Sequence, residues 1–221
     1  MKKLVLSAAI ALIATGAFAQ NKIKEGTIVY SAEYTLPAGM EAMASQLPKE
    51  LTVYFKGDSA VSVQKMGMAN INMITNKKTD YMRLLLDIPV AGKKYSVKFT
   101  PADQEMMSDK FPEWEATAGT ETKTIGAYKV QKYTLKDKKS GKEFEGWFTK
   151  DIDVPVNSFT MLFDPSYGVP VEFSSIQNGV TSKLTVKELK EGPVPANSFT
   201  AGNDFEEITA EQLQAMQGGR R

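Results

Sequence analysis

Apolar and polar residues alternate with period two in short stretches along most of this 221-residue chain. Ile28, Tyr30, Ala32 and Tyr34 share one face of a first extended segment, and Leu51, Val53 and Phe55 alternate with Thr52, Tyr54 and Lys56. Ile71 and Met73 alternate with Asn70 and Asn72, Tyr95, Val97 and Phe99 with Lys94, Ser96 and Lys98, and Leu184 and Val186 with Lys183, Thr185 and Lys187. One apolar and one polar face per segment predicts antiparallel strands with one wet side. Turn residues stand between the segments at hairpin distance: Gly57-Asp58, Asn76-Lys77, Ala91-Gly92, Ser140-Gly141 and Asn178-Gly179. Asn-Gly suits a type I′ turn, which needs positive φ at both central positions. Tyr128 and Val130 lie on one parity, whereas Tyr133 and Leu135 lie on the other. That change of phase predicts a bulge near Gln131 and a bent strand.

Helical periodicity is scarce. Met40, Met43, Ala44 and Leu47 fall at i, i+3, i+4 and i+7 between Pro37 and Pro48, which predicts a short amphipathic helix. A second helix is expected from Thr209, an N-cap residue followed by Glu211 and Gln212, to Met216. Proline and charge thicken between Pro101 and Glu115, as in a crossing loop, with a helical turn at Asp103 to Ser108. The run Val154-Pro155-Val156-Asn157-Ser158-Phe159-Thr160 recurs, with one change, from Val194 to Thr200. No third copy appears and the flanks differ, so the echo reads as two similar strand-to-loop corners rather than a repeat architecture.

The first nineteen residues have another logic. Lys2 and Lys3 precede an apolar run from Leu4 to Ala14, and Ala17-Phe18-Ala19 supplies a small-x-small cleavage pattern. This is an export signal, expected to leave residues 20–221 as a single β domain with a frayed tail near 218–221. The run is shorter than the roughly 20 apolar residues of a membrane span. The expected location is the periplasm or the exterior. With no cysteine in the chain, Gln20 cannot carry a lipid anchor, so the product is expected to be soluble after cleavage at Ala19-Gln20. Without Lys2 and Lys3 the basic count falls from 27 to 25 against 26 acidic residues, a balance that argues against a nucleic-acid partner.

Histidine is absent as well. No Ser-His-Asp triad, Cys-His dyad, histidine or thiolate zinc site or iron–sulfur cluster can be built from this chain. No glycine-rich phosphate loop follows a strand. Asp151 and Asp153 flank Ile152, and Glu113 and Glu115 flank Trp114. Such pairs suit glycoside hydrolysis or a hard cation, although solvated surface is the plainer account. Eleven methionines, with Met66, Met68 and Met73 close together and Met106-Met107 adjacent, suit copper(I) or, more simply, an adaptable core or cavity lining. No cofactor or metal is expected, and the chain reads as a binder rather than an enzyme.

Three segments carry a family resemblance: Thr124 to Tyr133, Gly146-Trp147-Phe148-Thr149-Lys150-Asp151, and Tyr167-Gly168-Val169-Pro170-Val171-Glu172. They resemble an uncharacterised exported family common in Bacteroidetes, the domain of unknown function numbered 4412; Ala127 stands where that pattern has glycine directly before tyrosine. The order of segments is also similar to the wider LolA/LolB superfamily of periplasmic carriers. That resemblance implies a LolA-like half-barrel, a strongly curved antiparallel sheet closed by helices over an apolar cavity. The expected fold is therefore mainly β, with two or three helices on the concave face, and the alternative is a closed antiparallel β-barrel. The expected function is binding or carriage of an apolar ligand such as a lipid or a lipoprotein acyl chain. The alternatives are an envelope protein–protein interaction module and, last, an acid-pair hydrolase. Met40, Met43, Met73, Leu84, Trp114 and Trp147 are the candidate cavity residues, chosen for apolar character.

Overall fold

The computed structural model describes residues 21–109, 111–177 and 179–218; the expected export signal at residues 1–19, with Gln20, Lys110, Asn178 and residues 219–221 of the expected tail, lies outside them. Among the described residues fourteen strands follow one another: β1 (Asn21–Lys22), β2 (Glu25–Thr35), β3 (Glu50–Lys56), β4 (Ser59–Met66), β5 (Ala69–Asn76), β6 (Tyr81–Ile88), β7 (Lys93–Lys98), β8 (Trp114–Ile125), β9 (Tyr128–Asp137), β10 (Glu143–Thr149), β11 (Ile152–Asp153), β12 (Val169–Gln177), β13 (Val180–Glu191) and β14 (Glu206–Glu207). Helix α1 (Pro101–Ser108) joins β7 to β8, and α2 (Ala210–Gly218) ends the described chain. Twelve strands form one curved, open sheet in the order β14-β7-β6-β5-β4-β3-β2-β13-β12-β10-β9-β8, which does not close into a barrel.

Hairpins build the sheet in two wings, from β2 through β7 and from β8 through β13. Four of the five turn pairs seen in the sequence fall at hairpin connections, and of the fifth pair Gly179 precedes β13 whereas Asn178 lies outside the described residues. The wings meet where β2 pairs with β13 from Thr35↔Thr181 to Gly26↔Glu191. No local signal announces that contact.

Register shows which side chains share a face. Ile28 lies opposite Val53, Val53 opposite Ser62, Ser62 opposite Met73, Met73 opposite Leu84, and Leu84 opposite Val97. This row crosses the whole first wing on the core side. Over the centre and the second wing, Tyr30, Phe55, Phe148 and Phe173 are buried beneath Phe159, Phe163 and Tyr167 of the segment between β11 and β12. Over the first wing, Met82, Val97 and Phe99 pack under Leu213 of α2 and Met107 of α1. On the opposite face Val61, Ile74 and Leu85 are covered by Phe199, Ala201 and Phe205. The first wing is thus apolar on both sides, which explains Val61 beside Ala60 and Ile74 beside Thr75, all buried.

Two local expectations are corrected. The bulge is not in β9, which pairs continuously with β10 through Gln131↔Phe148. It lies in β8, where the pairing jumps from Ala118↔Tyr133 to Thr122↔Gln131, and Gln131 Nε2 donates to the freed carbonyl of Gly119 at 2.8 Å. The extra residues go to the edge strand, which has a ladder on one side only and loses least by the interruption. Residues Glu41–Gln46 form a 3₁₀ segment, not an α-helix, and bury no side chain. Met43 is exposed and Met40 only half-buried, and so short a helix is marginal without a buried apolar face.

Candidate functional site

Helix α1 starts sharply. Thr100 accepts from the Asp103 N–H at 3.2 Å while the Asp103 carboxylate accepts from the Thr100 N–H at 2.8 Å, and Pro101 supplies the fixed φ of the first turn. The Thr100 hydroxyl and its N–H hold the Asp103 carboxyl below the usual range. The helix carries the chain from β7, near one end of the sheet, to β8 at the other.

Asp109 and residues 111–113 then belong to a strap bound to the turn between β9 and β10. Lys139 Nζ donates to the carbonyls of Asp109 and Phe111 at 2.6 and 2.9 Å. Lys138 pairs with Glu113 at 2.7 Å, and the Glu113 N–H donates to Asp137 Oδ1 at 3.1 Å. Asp137 also accepts from the backbone of Lys139 and Ser140. The Ser140 hydroxyl and these N–H groups outweigh burial and hold its carboxyl below the usual range.

Between α1, the strap and residues 161–167 lies an open cleft of about 620 Å³. Its apolar wall is Met82, Met107, Phe111, Trp114, Met161 and Tyr167, with Leu162 beside them. Its described charged residues are Glu105, Glu113 and Asp164. A second hollow of about 200 Å³ lies across Phe111, Pro112 and Trp114, which line both and act as the partition. Trp114 stacks on Phe163 with centroids 6.3 Å apart and meets Phe144 edge-on at 5.7 Å. Its indole N–H is buried without a hydrogen-bond partner.

Of the six candidate residues, Trp114 lines this cleft. Met73 and Leu84 face each other across β5 and β6 and pack in the cluster that contains Met82, on the same sheet face as that cleft-lining residue. Met40 and Met43 lie on the 3₁₀ segment, where Met43 is exposed. Trp147 lies on the opposite face of the second wing, buried under Lys123 Nζ at 4.0 Å from its ring centre and Lys132 at 5.9 Å. There Glu172 bridges Lys123 and Lys183 at 3.1 and 3.2 Å. Burial pushes the Glu172 carboxyl up, but the two lysines outweigh it and hold it low. Met82, Met161, Leu162 and Tyr167 carry no mark in the sequence that joins them, because segments about 80 residues apart meet here.

Glu113 lines the cleft, whereas Asp153 lines a separate hollow of about 120 Å³. Among the described residues no three acidic side chains could jointly hold a metal ion. Met66 and Met68 flank the Gly67 turn of the β4–β5 hairpin, apart in role from Met73 in the core cluster. No helix among the described residues is long and apolar enough to cross a membrane.

No family model and no curated protein matches this chain. Among solved structures it is similar to PNGF-II in two crystal forms. The P21 form gives a TM-score of 0.54 at 16% identity over 87% of this chain, and the C2 form 0.53 at 15% over 86%. The match takes in 33% and 32% of those chains, so this chain spans about a third of their length. At such identity the likeness is one of fold.

Proposed function

We propose that this is an exported binding or carrier protein for an apolar ligand such as a lipid or acyl chain, acting in the periplasm or outside the cell. The observation that carries the proposal is the open cleft of about 620 Å³ walled by Met82, Met107, Phe111, Trp114, Met161 and Tyr167. Its size falls in the range of small-molecule sites. Burial of apolar ligand surface supplies about 25 cal/mol per Å² without reactive groups. Methionine side chains adapt to chains of varying shape. The export signal and the resemblance to LolA-like carriers point the same way, and membership of the uncharacterised Bacteroidetes family is part of this proposal.

Native mass spectrometry of protein taken gently from its own compartment tests it. Bound lipid is the expected result, and a repeatedly clean unliganded mass would overturn it.

The alternative, an envelope protein-interaction module, is favoured by one observation. Strand β8 is the twelve-residue outer strand of the sheet, and most of its side chains are exposed. Such an edge accepts a partner strand by main-chain hydrogen bonding.

A further inference from the structure

We infer that one end of the first wing holds a thioether site for a soft monovalent cation, copper(I) or silver(I), built from Met43, Met66 and Met68 with Met40 beside them. Strands β4 and β5 are joined by the two-residue turn Gly67-Met68, closed by the pair Met66↔Ala69. Such turns ordinarily take asparagine, aspartate or glycine, which suit both water and the turn backbone. A methionine stands at this tip instead, 65% exposed. Met43, on the 3₁₀ segment between β2 and β3, is 44% exposed.

The tertiary fold brings these two places together. A Cβ on Gly67 would lie 3.6 Å from Gln46 Cβ, so the end of the 3₁₀ segment packs against the hairpin tip. A 3₁₀ helix turns once in three residues, so Met43 and Gln46 share the side that meets Gly67. The Met43 N–H donates to the Met40 carbonyl at 2.9 Å, which sets Met40 one turn further along. At about 2 Å per residue, Met43 lies roughly 6 Å from Gln46 along that segment. Met66 and Met68 are the chain neighbours of Gly67, each about 3.8 Å from it between Cα atoms. Methionine is unbranched with three rotatable bonds, so sulfurs at these spacings can converge on one ion.

Thioether sulfur is a soft donor suited to copper(I), and in a chain without histidine or cysteine methionine is the only soft ligand. Ligation by cysteine, histidine or a carboxylate competes with a proton, whereas a thioether has none to lose. Binding through methionine is therefore expected to persist unchanged in mild acid. The apex is also separate from the cleft. Met82, which lines the cleft, pairs with Thr75 near the far end of β5, about 20 Å along the strand from Ala69. Loss of this site would leave the proposed carriage of an apolar ligand untouched.

Copper(I) titration of the whole protein without oxygen, with bicinchoninate as the competing chromophore, tests the site. Stoichiometric binding of a single ion is expected. The double variant Met43→Leu, Met68→Leu should weaken it at least about tenfold. Leucine nearly conserves the volume, and circular dichroism verifies that the variant is folded. The double variant Met106→Leu, Met216→Leu removes two exposed methionines elsewhere and should change the affinity no more than about twofold. Calorimetry with silver(I), which needs no reductant, should give affinities within about threefold of each other at about pH 5 and about pH 7. Absence of stoichiometric binding, full affinity without Met43 and Met68, or an equal loss in the two double variants would each overturn the site. A silver(I) affinity that falls about tenfold or more in acid would overturn ligation by thioethers.

Discussion

Phe159 and Phe199 hold equivalent positions in two copies of one seven-residue motif and pack on opposite faces of the same sheet. Phe159 meets the edge of Tyr30 at 5.9 Å on the core face, and Phe199 covers Val61, Ile74 and Leu85 on the other. The two corners share their chemistry. The Asn157 and Asn197 carbonyls accept from the N–H and hydroxyl of the threonine three residues on. Val156 O accepts from Thr75 Oγ1 at 3.4 Å, so β5 is gripped at consecutive residues, Ile74 and Thr75, from both sides.

Removing either ring should therefore destabilise the fold without equal effect on binding. Phe159→Ala and Phe199→Ala should each cost roughly 2–4 kcal/mol, read as a lower urea midpoint. Phe199→Ala should leave cleft affinity unchanged, since its ring lies across the sheet from the cleft. A large affinity loss in Phe199→Ala at a temperature where it is folded would contradict that assignment.

Gly168 follows Tyr167 with φ +96° and ψ −163°, a conformation held almost solely by glycine. A Cβ there would also strike the carbonyl of Thr149. Gly168→Ala should cost about 3 kcal/mol or more and displace Tyr167 from the cleft wall. Thermal unfolding and ligand affinity should fall together. A variant as stable as the parent would show that this corner can rearrange.

Asp137 ties the strap to the sheet and should make stability depend on acid. Its carboxyl lies below the ordinary value in the folded protein, so its contribution is complete above the unfolded-state pKa of about 3.9 and disappears as pH falls through the lower folded value. Asp137→Asn should lose on the order of 1–3 kcal/mol at neutral pH, through weakened hydrogen bonds from Glu113, Lys139 and Ser140. The gap between parent and variant should narrow below about pH 4. Urea titrations at a series of pH values measure it, and a gap independent of pH would refute the linkage.

Met161 lines the cleft, is 37% exposed and belongs to no core cluster. Met161→Asp should reduce binding of a neutral twelve-carbon amphiphile at least about tenfold while changing stability by no more than about 0.5 kcal/mol. Calorimetry alongside thermal denaturation separates the two effects. Undiminished binding would move the site away from this cleft.

Local chemistry explains how much of this could be read in advance. The alternation around Leu51-Val53-Phe55 forms a strand with one face buried, and that of Tyr95 and Val97 forms a strand in which Ser96 is buried as well. The end helix forms where Thr209 and Gln212 exchange hydrogen bonds of 2.8 and 3.2 Å across its first turn. The stretch at Met40 has helical spacing too, yet its 3₁₀ residues Glu41–Gln46 bury no side chain. Trp114 and Trp147 look alike in the sequence, each an aromatic within a strand segment. One borders the cleft and the other lies beneath lysines on the opposite face, a difference set by register in a sheet whose curvature is collective.

From the order of residues alone follow the mainly β secondary structure, the hairpin turns, the capped start of the last helix and the removal of histidine- and cysteine-based chemistry. These depend on interactions within a few residues or on residue types. Three-dimensional packing was needed to pair β2 with β13, to choose the core face, and to bring Met82, Met107, Trp114 and Met161 to the border of one cleft. Those outcomes depend on contacts between segments tens of residues apart, where period-two alternation says that a strand has two faces but not which neighbour each face will meet.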